Sequence, residues 1–527
     1  MKRSLMKKRT RVNSINKFIG VIFWFLAPFC NYIFALENTF AQKLKEDESC
    51  IIINKKNVTH KFVYSDQQTD HFVKNIFECW EPETFEIFDK VKDPETIAID
   101  LGSWIGTTSI WLSKNFYHVV AVDADPISLK CLRLNLKASE CGNVTICERP
   151  IAQTSQKFIF GPRGSQLNES ISYIKEELNE SASQSNNDFV VRGLPFKQLI
   201  HDYIYTNDQL KSRKVSFIKC HIEGGEENII EDLLHFAYYN KTKVYLSFHV
   251  SWWKSKKITD FAYLFTFFKT NCPTTNICEY INNNPFTSLL FEPLNNSPEL
   301  LVKNNIPAII IGYNQYTYIK NMVSQLEKYT SDILIIDNNS SFIPLLNYYE
   351  NDFKYTLLKQ KVNYGHTVYR ENFIQNLVGD LYLLTDPDLE FNAKLPDNFI
   401  QALIEVSNYF GAIKVGFALC IDADDLRTDI LVEGKSIVEF ESSYWQNKLI
   451  YPANPALKLY RAPIDTTFCL VNKKYEDREH IRMAGDFLCL HLPWHKNFNK
   501  KLADKEYGAY LKNNTSTHWF KGSNETT

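Results

Sequence analysis

From about residue 95 the chain alternates short β-branched or aliphatic runs with longer stretches whose apolar positions recur at helical spacing. TIAID (96–100), VVAVD (119–123) and VTICE (144–148) predict strands, and PISLKCLRLNLKAS (126–139) predicts a helix between the last two. Strand, helix, strand at this interval is the pattern of a parallel sheet covered on both faces. A Ser/Asn/Glu-rich stretch at 161–188 breaks the pattern and is expected to be a surface insertion. The pattern resumes in VSFIKCHIEGGEENIIEDLL (215–234) and KVYLSFHVSWW (243–253). An Asn- and Pro-rich passage at 281–305 then interrupts it, and residues 286–305 are expected to be a linker. Beyond it IPAIIIGYN (306–314), YTYIKNMVSQLEKY (316–329) and DILIIDNNS (332–340) restart the alternation. The expected fold class is α/β, with two tandem domains at 41–285 and 306–520.

The first 40 residues follow another pattern. MKRSLMKKRTRVNSINK carries seven basic residues and no acid, and an apolar run from Phe18 to Leu36 follows. Basic then apolar is the order of a signal anchor or a signal peptide. The run is close to the roughly 20 residues that span a bilayer, although Pro28, Cys30 and Asn31 weaken its second half. Membrane association through one N-terminal anchor is expected, in the secretory pathway (endoplasmic reticulum or Golgi). Cleavage after Ala35 or Ala41 is the alternative.

Charge narrows the partners. With 59 Lys and Arg against 61 Asp and Glu, the net charge of −2 gives no global attraction for nucleic acid, so an anionic ligand must be bound locally. The twelve cysteines show no C-x-x-C or metal-type spacing. Cys272 and Cys278 are close enough in sequence for a disulfide, with buried free thiols as the other reading.

In IAIDLGSWIGTTSIWLS, Asp100 ends a strand, and Gly102 and Gly106 occupy the turn before a helix. Glycines there admit close approach of a ligand to the backbone, and the helix N-terminus favours a polar or charged group. Asp123 ends the next strand, 23 residues on, where an acid can accept both ribose hydroxyls of a nucleoside. DLGSWIG, DADPISLKCLRLNL with Asn135, FIKCHIEGGEENII and the strand ending near His249 together resemble FkbM-type S-adenosylmethionine-dependent methyltransferases. The resemblance covers most of residues 75–255. It implies a Rossmann-like sheet, S-adenosylmethionine as cofactor and methyl transfer to a hydroxyl. Asp100, Gly102, Gly106 and Asp123 would contact the cofactor, with His221 and Glu223 as catalytic residues. Where the family has Asp, this chain has His221. A histidine can serve as a base at neutral pH, or the change can mark a domain that binds without catalysing. Glu226, near Lys219, either belongs to this set or only charges the start of the following helix.

In the second half one strand ends at Tyr313 and Asn314 and the next at Asp337. Asn363 and Gly365, a helix containing Asn372, and a strand ending Asp386-Pro-Asp388 follow. This ordered set resembles family 2 glycosyltransferases of the GT-A fold. It implies a nucleotide-diphosphate sugar donor and Mn²⁺ or Mg²⁺, since hard carboxylate oxygens suit these ions. By that resemblance Asp388 would contact the metal, and Asp386 the ribose or a metal-bound water. Asp337 and Asn314 would serve the nucleoside. His491 in FLCLHLPWHKNF is expected to complete the metal shell, in preference to His495. Asp465 in APIDTTFCLV is the candidate base for an inverting transfer, with Asp477 as runner-up. Tyr444 and Trp445 either stack on a sugar or belong to the core.

The combined expectation is a bifunctional glycan-modifying enzyme, a glycosyltransferase with O-methyltransferase activity, acting on a glycan or glycoconjugate acceptor. The alternative is a glycosyltransferase alone, with a non-catalytic binding module before it.

Overall fold

A computed structural model describes residues 50–63, 67–162, 172–177, 188–295, 305–422, 424–475, 479–496 and 504–512. The N-terminal basic and apolar segment lies outside them. Among the described residues no helix is long and apolar enough to cross a membrane.

Every residue from Thr96 to Leu101 is buried, as in a strand covered on both faces with its backbone groups paired sideways. This is β1 (Asp93–Leu101), the centre of a seven-stranded sheet. The others are β2 (Phe116–Val122), β3 (Val144–Cys147), β4 (Val215–Cys220), β5 (Lys243–His249), β6 (Phe268–Thr270) and β7 (Phe286–Pro293). Their spatial order is 3-2-1-4-5-7-6, with β1 to β5 parallel and β7 antiparallel between β5 and β6. Strand order reverses between β1 and β4, which opens a crevice at their carboxyl ends. Helices α1 (Thr107–Asn115), α2 (Pro126–Ala138) and α3 (Glu226–Asn240) cover the sheet. Asp125 starts α2 by accepting from the N–H groups of Ile127 and Ser128, with Pro126 in the first turn.

Two expectations about boundaries are corrected. β7 takes the first part of the expected linker: Leu289, Leu290 and Phe291 are buried, and the strand pairs with both β5 and β6. The Asn-Pro punctuation instead follows a short helix, Ile277–Asn283, and turns the chain into β7. Within the expected insertion, Ser172–Glu177 pairs with Lys157–Pro162, which also pairs with Phe189–Arg192, in a three-stranded antiparallel sheet.

The second half is built on β8 (Ala308–Gly312), β9 (Ile333–Asp337), β10 (Thr356–Lys359) and β11 (Leu381–Thr385), all parallel. A short β12 (Leu389–Phe391) follows β11, then β13 (Lys414–Phe417), β14 (Lys448–Leu449), β15 (Lys458–Arg461), β16 (Cys469–Asn472), β17 (His480–Ala484) and β18 (Cys489–His491). The nine-stranded sheet has the order 10-9-8-11-16-13-17-15-14, and β12 pairs separately with β18. β16 is antiparallel to both its neighbours. Here too the order reverses beside the first strand, between β8 and β11.

The halves share one core rather than meeting only through a linker. Leu199, Ile200 and Leu233 belong to the same apolar cluster as Ile309, Ile336, Leu358 and Leu377. Buried Lys197 pairs with Asp332 at 2.6 Å. Arg192 donates to the Tyr349 carbonyl at 2.9 Å, and Ser155 to that of Phe353 at 3.1 Å. Cys272 and Cys278 are free thiols.

Candidate functional site

A cavity of about 230 Å³ lies at the carboxyl ends of β1, β2 and β4. Gly102, Asp123, Lys219, His221 and Glu223 all reach its wall. Gly102 has φ of +76°, and a Cβ there would sit 1.8 Å from the His221 carbonyl oxygen. Glycine is therefore what lets the turn after β1 touch the turn after β4. Asp123 accepts N–H bonds from Trp104 (2.7 Å) on Oδ2 and from Ala124 (2.8 Å) and Asp125 (3.0 Å) on Oδ1. A carboxylate has about four lone-pair positions, so one on Oδ2 stays open. Burial pushes the Asp123 carboxyl up to about 6 against the pull of these donors.

Two expected contacts lie behind the wall. Asp100 is fully buried; its Oδ2 accepts from Thr108 (2.7 Å) and Ser109 (2.6 Å), and its Oδ1 is 3.0 Å from Lys219 Nζ. It anchors α1 and neutralises Lys219 instead of touching the cavity. Gly106 precedes α1 with φ of +94°, where a Cβ would lie 3.0 Å from the Leu132 side chain. Its smallness serves helix packing.

At the β4 side His221 Nε2 is 3.1 Å from Glu223 Oε1, and His249 Nε2 is 3.6 Å from Glu223 Oε2. His249 Nδ1 is 2.9 Å from Glu226 Oε1. Glu226 is fully buried and also accepts from the N–H groups of Ile222 (3.1 Å) and Gly224 (2.9 Å), so it organises this corner beyond charging the start of α3. Sequence reasoning missed the aromatic wall. Phe72 meets Trp104 edge-to-face at 4.9 Å, and Trp80 and Tyr173 also line the cavity. Trp104, inside the glycine turn, was the available signal; the others come from segments outside the sheet pattern.

In the second half Asp386 and Asp388 leave the carboxyl end of β11. Asp386 Oδ2 accepts from the Thr466 hydroxyl at 2.6 Å, and burial, then the Asp388 charge, push its carboxyl up to about 7. Asp388 is buried, and its Oδ1 has no hydrogen-bond partner among the described residues. Its Oδ2 is 3.6 Å from His491 Nε2. The β12–β18 pairing, which sets Leu389 against His491, carries the histidine there. Among the described residues, the three His, Cys, Asp or Glu side chains whose donor atoms lie within 4.8 Å of one another are His221, Glu223 and His249, not Asp386, Asp388 and His491. His495 turns elsewhere, its Nδ1 2.7 Å from Asp425.

The remaining expected residues divide. Asp465 is exposed, 3.6 Å from His366 Nε2, and near enough to Asp386 to raise it electrostatically. Asp337 is buried at the end of β9, accepting from the Ser340 N–H (3.0 Å) and the Tyr349 hydroxyl (3.2 Å); burial raises its carboxyl. Asn314 is corrected to a structural role. Its Oδ1 accepts from the N–H groups of Ser341 (2.7 Å) and Phe342 (2.9 Å), and its Nδ2 donates to the Ala509 carbonyl (2.9 Å). The Tyr444 ring lies under the Arg482 guanidinium at 4.2 Å, and Trp445 tilts against Tyr460. Asp477 lies outside the described residues.

No family model matches the chain, and no curated protein matches it. Solved structures that resemble it include methyltransferases. Methyltransferase FkbM from Methylobacillus flagellatus KT is 14% identical over 39% of this chain and 50% of its own, with a TM-score of 0.23. M. jannaschii TYW2 in complex with AdoMet is 10% identical over 47% and 88%, with a TM-score of 0.24. An rRNA methylase from Streptococcus thermophilus is 12% identical over 40% and 95%, also at 0.24. The chain spans about half the length of the FkbM structure. At these scores the likenesses assign no activity to the chain.

Proposed function

We propose that the chain is a bifunctional glycan-modifying enzyme, an O-methyltransferase in its first half and a glycosyltransferase in its second. The observation that carries the first activity is the meeting of Gly102, Asp123, His221 and Glu223 in one cavity at the switch point of a doubly wound sheet. S-adenosylmethionine, when bound there, supplies the methyl group. Gly102 lets the turns after β1 and β4 meet at the cavity wall, Asp123 accepts a ribose hydroxyl, and the aromatic wall covers the base. His221 and Glu223 serve the acceptor hydroxyl, the group that must lose a proton.

The second activity is supported by Asp386, Asp388 and His491 gathered at the other switch point. Asp388 and His491 would hold Mn²⁺ or Mg²⁺, which offsets the charge growing on a departing nucleotide diphosphate. Asp465, exposed and near Asp386, would take the acceptor's proton. We assign the apolar run at 18–36 to a secretory-pathway membrane anchor. Recovery of the protein in the alkali-washed membrane fraction tests that assignment, and recovery in the supernatant removes it.

Calorimetry with S-adenosylhomocysteine tests the first activity: saturable heat is expected, and it should vanish in Asp123→Ala. Absence of heat in the unmodified chain would favour the alternative, a glycosyltransferase with a non-catalytic module, which the histidine at position 221 motivates. Nucleotide-sugar turnover with Mn²⁺, stopped by a chelator, is the corresponding test of the second.

A further inference from the structure

The carboxylate of Glu226 holds His249 from behind. Besides His249 Nδ1 it receives the Ile222 and Gly224 N–H groups and, at 3.4 Å, the Trp253 indole N–H. A buried carboxylate 2.9 Å from Nδ1 orients the imidazole, as carboxylates behind metal-bound histidines do. Its Nε2 faces the Glu223 carboxylate at 3.6 Å. His221 also turns Nε2 to Glu223, at 3.1 Å.

The spacing comes near that of a coordination shell. Bonds of about 2.1 Å give ligand-to-ligand edges of roughly 3.0 Å in an octahedron and 3.4 Å in a tetrahedron. The two contacts, 3.1 and 3.6 Å, end on different oxygens of Glu223, and one donor atom from each of the three residues lies within 4.8 Å of the others, a spread that must narrow to about 4.2 Å or less for all three to bind one ion. The backbone is bent to achieve this: Glu223 has φ of +57°, a left-handed conformation disfavoured for a residue with a Cβ, and Gly224 follows at +96°. Trp252 stacks on the His249 ring at 5.1 Å and 11°, fixing its plane.

We propose that His221, Glu223 and His249 form a binding site for a first-row divalent transition metal at the acceptor end of the cavity. Two imidazoles and one carboxylate suit Mn²⁺, Fe²⁺, Co²⁺ or Zn²⁺ better than the Mg²⁺ or Ca²⁺ favoured by all-oxygen shells. Three protein ligands leave positions where a hydroxyl oxygen of the acceptor could enter; held there its proton would pass more readily to solvent water, and the oxygen would then take the methyl group as the sulfur–methyl bond breaks and S-adenosylhomocysteine leaves. That role rests on the methyl-transfer reading; the cation site itself does not.

The test is calorimetric titration of the full chain with Zn²⁺ alone and with Co²⁺ alone, in an Asp388→Asn background that silences the other candidate cation site. One equivalent should bind, and Co²⁺ should give the visible bands of a nitrogen–oxygen shell. His249→Ala should weaken binding about a hundredfold or more, and Glu226→Gln, which acts through His249, about ten- to a hundredfold. His221→Ala, at a partly exposed ring, is the second variant should His249→Ala fail to fold. No metal uptake, or uptake unchanged in both histidine variants, overturns the site. S-adenosylhomocysteine titrated into the same samples separates the readings. Cofactor heat without metal uptake removes the cation site and leaves methyl transfer standing. Metal uptake without cofactor heat supports the cation site and removes methyl transfer.

Discussion

At the end of β1 the buried acid Asp100 meets Lys219 at 3.0 Å, whereas at the end of β11 the acids Asp386 and Asp388 meet each other. Both are carboxylates at the carboxyl ends of parallel strands, and in the sequence they carry the same signal. In the first half the charge is answered inside the protein, by Lys219 and by the Thr108 and Ser109 hydroxyls. In the second the answer is weaker: Asp386, though it accepts from the Thr466 hydroxyl, is pushed up to about 7 by burial and by Asp388, and Asp388 meets an imidazole at 3.6 Å where Asp100 meets an ammonium at 3.0 Å. A carboxylate satisfied by its own chain is architecture. One left with excess negative charge is a place for a ligand.

The contrast is broken most decisively by Asp388→Ala. Metal-dependent nucleotide-sugar turnover should fall on the order of 10³-fold, the effect of removing one transition-state charge stabiliser. S-adenosylhomocysteine affinity should stay unchanged, and turnover that survived would return Asp388 to the architectural class.

Asp100→Ala should do the reverse. It leaves the Lys219 ammonium buried without its partner and should cost about 3 kcal/mol, read as a lower urea midpoint. Lys197→Ala, which strips Asp332 of its partner at the junction of the halves, should cost about as much. Because the core is shared, tryptophan fluorescence and nucleotide binding should be lost in one transition; two separate transitions would contradict the common core.

A smaller effect is expected from pH. Asp123 ionises near 6, against an ordinary 3.8. The folded chain thus holds this proton more tightly than the unfolded one, and the group's contribution to stability is lost as pH rises from about 4 to about 6. Cofactor affinity should move oppositely, since only the carboxylate accepts the ribose hydroxyl, and should drop about tenfold per unit below pH 6. Calorimetry from pH 5 to 8 with S-adenosylhomocysteine measures it, and a flat profile would detach Asp123 from the ligand.

The smallest expected change sharpens the contrast from the stability side. Asp388→Asn relieves the repulsion with Asp386 and should raise the thermal midpoint, by about 1 kcal/mol of added stability, while turnover is lost. A lowered midpoint would mean that the acid pair is compensated after all.

Local order in the sequence determined the class of fold, most of the central strands, and the strand ends at which the candidate site residues lie. Alternation and helical spacing report which residues are buried, and glycine at position 102 reports a turn that admits no Cβ. The pattern could not separate Asp100 from Asp386, because pairing with Lys219 depends on a strand more than a hundred residues downstream. It could not tell that Asn314 would be spent on Ser341, Phe342 and Ala509, or that Phe286–Pro293 would leave a linker for a sheet. Nor could it align His249 with His221 and Glu223, or carry His491 to Asp388. Those outcomes follow from register between distant strands and from burial that two halves impose on each other, and a side chain's charge acquires its meaning only from what that packing sets beside it.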